Sequence, residues 1–324
     1  MNKAIEKENI SLNKKFRIAC RAISDLITKK PRVISFEITN SCNANCQHCD
    51  RGGIIRESHN LQPKQYGDIA RQLNPVAVQI SGGEPLLRKD VFEIVREIRK
   101  NGPLPLIILV TNGALLNREK YLKFKEAGVN FISVSLDFPD KRHDEWRKIP
   151  GLFAHLGETL PDLASFGRQD IVLNSAITSK NLPYLLELAE KAQEWGVAIS
   201  FSAYSHLRTG DKTLSISSDS DLLVLKKRIA YIIKIKKEKN MVTTPQFALE
   251  GIYRFFKNGF MPGCRAGKSF LVVTPDGDYM PCSMQQAKYS SRDEMVKDFP
   301  PGNSCGGCYV SIRALSEKIV FIKQ

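Results

Sequence analysis

The sequence predicts an α/β fold: a partial (β/α)6, TIM-like barrel followed by a small C-terminal domain built from a β-hairpin plus a helix. Six apolar, strand-like segments alternate with helix-like segments through most of the 324-residue chain, which is typical of parallel strands with helices outside. Glycines stand where the helices should stop, namely Gly102, Gly128 and Gly196. Eight such units would close a full barrel, so six predict an open one.

The elements follow in order along the chain. Strands are predicted from apolar, strand-length runs at 33–38, 76–80, 106–111, 130–136, 170–176 and 197–203. Helices are predicted between them at about 64–73, 89–100, 117–127, 151–166 and 181–195. After a polar, serine-bearing junction, further helices are predicted from Asp219 to Lys239 and at about 244–257. The segment from Pro275 to Gly277 is a turn signal, and it predicts the hairpin.

A basic amphipathic helix is predicted for residues 11–29, ahead of the first strand. It fits either a helix packed across the bottom of the domain or one that contacts a membrane surface or a partner. Cys20 lies in this helix with no cysteine near it, and is interpreted as a packed or idle thiol. There is no apolar run long enough to span a membrane, and the polar start resembles no secretory signal. We therefore expect a cytoplasmic protein, with peripheral membrane contact as an option.

The net charge of +14 favours anionic partners. These include phosphorylated substrates, acidic membrane surfaces, nucleic acid and an acidic reductant such as flavodoxin or ferredoxin. A solvated basic surface with no partner explains the charge equally well. No dedicated nucleic-acid-binding module is recognisable in the sequence.

Cys42, Cys46 and Cys49 form a C-x3-C-x2-C run directly after the first predicted strand. Close cysteines in a cytosolic protein indicate a metal or redox site rather than a structural disulfide. Three thiolates suit an iron–sulfur cluster with one open iron, to which a substrate or cofactor can bind. Zinc stays an alternative, because His48 can supply the fourth ligand that zinc usually takes.

The run CNANCQHC resembles the C-x3-C-x2-C signature of the radical S-adenosylmethionine (SAM) superfamily. His48 stands where that family usually has an aromatic residue. ISGGEPLL resembles its glycine-glycine-glutamate motif, while VTNG and SVSLD resemble the ends of its third and fourth strands. Four motifs in the family's order make the resemblance specific, and it extends from about residue 33 to about 205.

The resemblance implies a 4Fe-4S cluster on the three cysteines, with SAM bound at the open iron. Reductive cleavage of SAM would then yield methionine and a 5′-deoxyadenosyl radical. The glycines let the backbone approach a ligand closely, and Glu84 offers an acceptor to the SAM ammonium group. The residues expected around SAM are Gly82, Gly83, Glu84, Thr111, Ser135, Asp137, Asn174 and His48.

Four further cysteines follow: Cys264 and Cys282 around the predicted hairpin, then the C-x2-C pair Cys305 and Cys308. Their order resembles the SPASM domain, an auxiliary-cluster domain, in its shortened "twitch" form. The resemblance implies a second, fully ligated 4Fe-4S cluster that relays electrons or supports the substrate pocket. A four-cysteine zinc site is the alternative at these spacings.

These features divide the chain into four predicted parts: an N-terminal helix (1–32), a radical SAM core (33–210), a helical linker (211–258) and a cluster-binding domain (259–324). The predicted function is hydrogen abstraction from an unidentified small molecule, lipid or phosphorylated compound, leading to oxidation or bond formation. A peptide maturase is the alternative within the family, although the thirty-odd residues before the core leave little room for a peptide-recognition domain. A non-catalytic protein that transfers electrons or binds nucleic acid is the alternative of another class.

Overall fold

The structure is a computed structural model that describes residue 21 and residues 30–55, 57 and 60–317. The predicted N-terminal helix, apart from Arg21, lies outside the described residues, and so does Cys20. No helix in the described ranges is long and apolar enough to cross a bilayer.

The strands of the described chain lie close to their predicted positions. They are β1 (Val33–Glu37), β2 (Ala77–Ser81), β3 (Leu106–Thr111), β4 (Phe131–Ser135), β5 (Ile171–Ile177), β6 (Ala198–Ala203), β7 (Phe270–Val273) and β8 (Tyr279–Met280). All eight form one sheet in the order β6-β5-β4-β3-β2-β1-β7-β8. Neighbours from β1 to β6 pair in parallel, so their carboxyl ends meet at one edge of the sheet. The predicted α/β class and partial barrel are confirmed.

Between and after these strands the described chain forms ten α-helices. They are α1 (Pro63–Leu73), α2 (Val91–Arg99), α3 (Arg118–Ala127), α4 (Arg142–Arg147), α5 (Leu152–Ala164), α6 (Leu185–Glu194), α7 (Asp219–Lys239), α8 (Gln246–Asn258), α9 (Arg292–Gly302) and α10 (Ser311–Glu317). Helix α3 ends at Gly128, whose φ of 109° only glycine adopts readily. Helix α4 was not predicted, because six residues are too few to establish a helical period.

Both edges of the barrel are covered. Strand β7 pairs in parallel with β1, with Val33 opposite Phe270, and β8 returns antiparallel to β7. The C-terminal hairpin thus continues the barrel sheet, and Gly277 in its turn has a φ of 98°. At the other edge, Ile199 of β6 bonds through its backbone to Met241 and Thr243. Few sheet-edge groups are left open to pair with another chain.

The two faces of the sheet differ in character. The face that packs on the helices is apolar and buried, with Phe36, Ile80, Val134 and Leu173 all fully inaccessible. Alternate residues point to the barrel lumen, and several of these are only partly buried and polar. A filled barrel interior is dominated by branched apolar residues. This polar lumen therefore suits a ligand-binding cavity.

Candidate active site

The loop after β1 holds the first three cysteines. The backbone N–H of Cys42 donates to the carbonyl of Gly53 at 2.9 Å, and that of Cys49 donates to the carbonyl of Cys46 at 3.2 Å. Backbone N–H groups also reach two of the sulfur atoms: Ala44 N lies 3.4 Å from Cys42 Sγ, and Arg51 N lies 3.5 Å from Cys49 Sγ. The loop therefore directs its own N–H groups toward two of its three sulfur atoms.

Without a metal, two of these thiols resist ionisation. Burial raises the pKa of Cys42 to about 11. Burial also raises the pKa of Cys46, against the opposing effect of the Arg147 guanidinium. Both are protonated at neutral pH, so ligation has to displace their protons.

The donor set fits an iron–sulfur cluster better than a single ion. Within the residues that the structure describes, no three His, Cys, Asp or Glu side chains converge as ligands of one metal ion. His48 is accordingly not placed with the three cysteines as the fourth ligand of a zinc site. A cubic cluster is larger than one ion and takes thiolates from around its surface.

Gly82 and Gly83 form a cradle for this loop. A Cβ at Gly82, where φ is 133°, would lie 2.3 Å from the carbonyl oxygen of Thr39. A Cβ at Gly83 would lie 2.1 Å from the carbonyl oxygen of Ser41. The backbone N–H of Gly83 donates to Thr39 at 2.7 Å, and that of Glu84 donates to Ser41 at 2.8 Å. The close approach expected from these glycines is thus made to the cysteine loop itself.

Replacing Gly83 with alanine is expected to displace the cysteine loop. The new Cβ meets backbone rather than a flexible side chain, so we expect a loss of about 1–3 kcal/mol in the free energy of unfolding. We also expect iron at the first site to fall while iron at the C-terminal site is kept. Gly302→Ala is the matched control, because nothing lies within 4 Å of its new Cβ. Equal iron in both variants would contradict the cradle role.

Glu84 lies at the carboxyl edge of the sheet and is 1% exposed. Its carboxylate accepts hydrogen bonds from Thr111 Oγ1 at 2.7 Å, from the backbone of Asn112 at 2.7 Å and from the backbone of Leu86 at 3.0 Å. Burial raises the pKa of Glu84, and these bonds oppose that rise. A carboxylate has about four acceptor positions, so one remains for a ligand.

Asn112 connects this network to the cysteine loop. Its side-chain amide donates to Asn43 Oδ1 at 2.7 Å, and its own Oδ1 accepts from the backbone of Ala114 at 2.9 Å. Hydrogen bonds therefore connect the cysteine loop, the glycine-glycine-glutamate motif and the VTNG segment at the end of β3.

Ser135 and Asn174 lie side by side in the lumen, as partners in the register of β4 and β5. The side-chain carbonyl of Asn174 accepts from Ser200 Oγ on β6 at 3.0 Å. On the other side of the barrel, Ser35 and Ser81 share a hydrogen bond of 2.9 Å. Ser35, Ser81 and Ser200 were missed because only the strand alternation, combined with the register, shows that they share the lumen.

Asp137 and Arg147 form a buried ion pair beside the cysteine loop. Arg147 Nε donates to Asp137 Oδ2 at 2.8 Å, and Nη2 lies 2.6 Å from the same oxygen. Burial alone would raise the pKa of Asp137, but the Arg147 guanidinium lowers it below its usual value. Asp137 Oδ1 is buried and accepts no hydrogen bond from the described chain, so this oxygen remains for a ligand.

Arg147 also touches the cluster loop directly. Its Nη1 lies 3.6 Å from Cys46 Sγ, and its carbonyl accepts from the backbone of Asn45 at 3.1 Å. Helix α4 is therefore anchored to the cysteine loop by main chain and side chain together.

His48 stacks on Trp146, with ring centroids 5.4 Å apart and planes inclined by 13°. Burial lowers the pKa of His48 to about 4, so the ring is neutral at physiological pH. Its Nδ1 is buried without a hydrogen-bond partner among the residues described. A neutral, flat ring with an open acceptor suits packing beside another aromatic group.

The remaining four cysteines meet at a second site. Cys264, Cys282, Cys305 and Cys308 line one cavity, whose wall is otherwise largely apolar and includes Phe270. The amide nitrogen of Gln285 lies 3.6 Å from Cys305 Sγ. Burial raises the pKa of Cys282 to about 12 and that of Cys308 to about 11.

A buried arginine supports this second site too. Arg313 is fully inaccessible and donates to the carbonyl of Cys308 at 2.6 Å and to that of Met261 at 2.7 Å. Its charge opposes the rise in the pKa of Cys308. Each cysteine site therefore has at least one buried guanidinium beside it, which would offset part of the negative charge of a bound cluster.

Three cysteines in the loop after β1, at the carboxyl edge of a parallel sheet and next to a polar lumen, define a candidate metal-cluster site on a partial barrel. The family model "Radical SAM superfamily" matches residues 36–177 of this chain, the part that runs from β1 to β5. The superfamily uses a 4Fe-4S cluster and SAM, and the cysteines for a second cluster are present.

Individual proteins are similar to this chain over most of its length. The AdoMet-dependent heme synthase of Methanosarcina barkeri (strain Fusaro / DSM 804) is 29% identical over 282 residues, covering 79% of this chain and 78% of that protein. The GTP 3′,8-cyclase of Aquifex aeolicus (strain VF5) is 27% identical over 294 residues, covering 85% and 88%. The crystal structure of Streptococcus suis SuiB bound to S-adenosylmethionine has the same fold, with a TM-score of 0.65 and 18% identity over 87% of this chain and 70% of that one.

Proposed function

We propose that this enzyme cleaves SAM reductively at the cluster held by Cys42, Cys46 and Cys49, and that a polar small molecule in the lumen then loses a hydrogen atom. The observation that carries the proposal is the position of the three-thiolate loop over the carboxyl edge of a polar lumen. The bound cluster supplies the electron that breaks a carbon–sulfur bond of SAM. The protein supplies binding, orientation and exclusion of water.

The residues around the loop have distinct tasks in this proposal. The open acceptor position of Glu84 binds the SAM ammonium group, while Gly82 and Gly83 keep the cysteine loop against that carboxylate. Ser135 and Asn174 offer hydrogen bonds within the lumen. His48 packs beside the adenine, and Asp137 Oδ1 accepts from a ligand N–H or O–H group.

The lumen favours a polar substrate over a lipid. If an alkyl chain filled the lumen, the partly buried serine and asparagine side chains there would lose their hydrogen bonds to water and gain none in return. The two relatives act in heme synthesis and on GTP, according to their names, which supports a small molecule rather than a peptide. These observations favour a polar small molecule over a lipid or a peptide as the substrate.

The second site suits an electron acceptor. Four cysteines line its cavity, so a cluster there has no cysteine-free iron for substrate. After one hydrogen atom is abstracted from a substrate, the second leaves as a proton and an electron, and a fully ligated cluster would take up that electron. We therefore favour substrate oxidation, with an acidic protein such as flavodoxin or ferredoxin as reductant of the first cluster.

Anaerobic incubation of reconstituted protein with SAM and dithionite tests the proposal. We expect methionine and 5′-deoxyadenosine in equal amounts. A protein with a full complement of iron that forms no 5′-deoxyadenosine, with or without candidate substrates, would favour a non-catalytic iron–sulfur protein instead.

A further inference from the structure

We infer that Arg208 binds an anionic group of the substrate, a carboxylate or a phosphate, at the mouth of the barrel between the two cysteine sites. The inference rests on the proposed function and adds the substrate's charge to it. It begins with the segment from Ser205 to Arg208, which directly follows β6 and its neighbour Tyr204.

This segment contacts both cysteine sites. Ser205 Oγ donates to the carbonyl of Gly307 at 2.8 Å, next to the ligand Cys308. Leu207 packs so closely on Gly307 that a Cβ there would lie 3.0 Å from its methyl carbon. The guanidinium of Arg208 forms an ion pair with Asp50, the residue after Cys49. Arg208 therefore lies where a substrate would pass between the two sites.

The Arg208–Asp50 ion pair also links the loops that follow the first and last strands of the barrel. β1 and β6 are the first and last strands of the six-stranded barrel, and Asp50 and Arg208 belong to the loops that follow them. Glu37, the last residue of β1, points to the same region and binds Arg51 Nη2 at 2.9 Å. The mouth thus has two arginines with two carboxylates between them.

Arg51 and Arg208 each have an N–H donor for which the described residues provide no acceptor. The Nε atoms of Arg208 and of Arg51 are buried and have no hydrogen-bond partner in the ranges that the structure describes. The side chain of Arg208 is only 16% exposed, so water replaces a partner poorly. A buried N–H without an acceptor is costly, and a site that binds an acceptor there removes the cost.

Charge balance at the mouth is compatible with an added anion. Burial alone would lower the pKa of Arg208, but the nearby Cys49 sulfur and the carboxylates of Glu37 and Asp50 raise it, so the guanidinium stays charged. Glu37 and Asp50 orient the arginines without occupying either Nε–H. The net charge of +14 adds a favourable long-range potential for an anion.

Binding of inorganic phosphate to the holoenzyme tests the inference without turnover. The clusters are reduced photochemically with an uncharged sensitiser and an amine as electron donor, so that no competing anion is added. The ³¹P relaxation of phosphate is then measured, because a paramagnetic cluster enhances it only at short range. We expect saturable enhancement in the wild type, and phosphate affinity lower by about tenfold or more in Arg208→Gln. Arg168→Gln, on the exposed surface, is the matched control and should bind like the wild type.

Several outcomes would overturn the inference. One is that the wild type shows no relaxation enhancement, and another is that Arg208→Gln binds phosphate as tightly as the wild type. A third is that saturating SAM displaces the phosphate completely, which would assign the site to the SAM carboxylate. If Arg208→Gln fails to take up iron, Arg208→Lys replaces it, and we expect affinity reduced by about threefold or more because lysine lacks the Nε–H donor. Equal affinity in Arg208→Lys would also reject the inference. Failure of SAM cleavage would reject the proposed function alone, since phosphate binding does not depend on it.

Discussion

Cys46→Ala is expected to abolish SAM cleavage while leaving the second cluster in place. Cys46 is one of only three thiolates in the first loop, so its loss leaves too few ligands for a cluster with a single open iron. We expect iron to fall from about eight to about four atoms per chain, given four irons in each cubic cluster. Formation of 5′-deoxyadenosine should fall to the level of an enzyme-free control.

Cys305→Ala is the matched control, because Cys305 is also a partly buried cysteine in a loop. Three cysteines then remain at the second site, enough to hold a cluster with one open iron, so we expect most of the iron to be kept and SAM cleavage to continue. Anaerobic iron analysis and product chromatography measure both effects. SAM cleavage that survives Cys46→Ala, or that is lost in Cys305→Ala, would contradict the assignment of the two sites.

The barrel was predictable from the sequence because its signals are local. Each strand is an apolar run a few residues long, and each helix stop is marked by a nearby glycine such as Gly128. Cys42, Cys46 and Cys49 are also close in sequence, so their spacing alone predicts a metal-cluster site. The pairing of β7 with β1 joins segments at opposite ends of the chain, and no local pattern specifies it.

The partners of the site residues were harder to predict than the presence of these residues at the site. Asp137 was a candidate for ligand contact, but its ion pair with Arg147 depends on the orientation of the short helix α4. Gly83 was expected to make room for a ligand, whereas its immediate neighbour is the carbonyl of Ser41. Such contacts are set by how the motifs fold onto one another. At this sheet edge the polar groups of several motifs bond to one another. Only the donors and acceptors that remain are available to a ligand.

The Asp137–Arg147 pair gives a second large expected effect. The two side chains are 1% and 10% exposed, and Arg147→Met leaves the Asp137 carboxylate buried without its cation. Removing one partner of a buried ion pair typically costs about 3–5 kcal/mol. The variant also loses the contact from Nη1 to Cys46 Sγ. Because hydrogen bonds to cluster sulfur are among the groups that set reduction potentials, we expect a lower potential and slower SAM cleavage.

Urea unfolding under anaerobic conditions measures the stability change. Arg71→Met is the control, because Arg71 forms an exposed pair with Asp68 at 2.9 Å and its loss should leave the unfolding midpoint unchanged. The double variant Asp137→Asn with Arg147→Met should recover part of the loss, since no lone charge is then buried. A midpoint for Arg147→Met equal to that of the wild type would show that Asp137 finds another partner.

The pH dependence distinguishes a lone buried carboxylate from a simple loss of packing. In the wild type the pKa of Asp137 is lowered, so the pair's contribution is present above the unfolded value of about 3.9 and is lost as pH falls through the folded pKa. In Arg147→Met burial prevails and the pKa rises above the unfolded value, so this variant loses stability as pH rises through its folded pKa. The difference between the two proteins should therefore be largest at neutral pH and shrink as the pH is lowered towards about 4. A difference that stays constant with pH would mean that the methionine damages packing alone, and that the Asp137 charge contributes nothing to holding helix α4 against the cysteine loop.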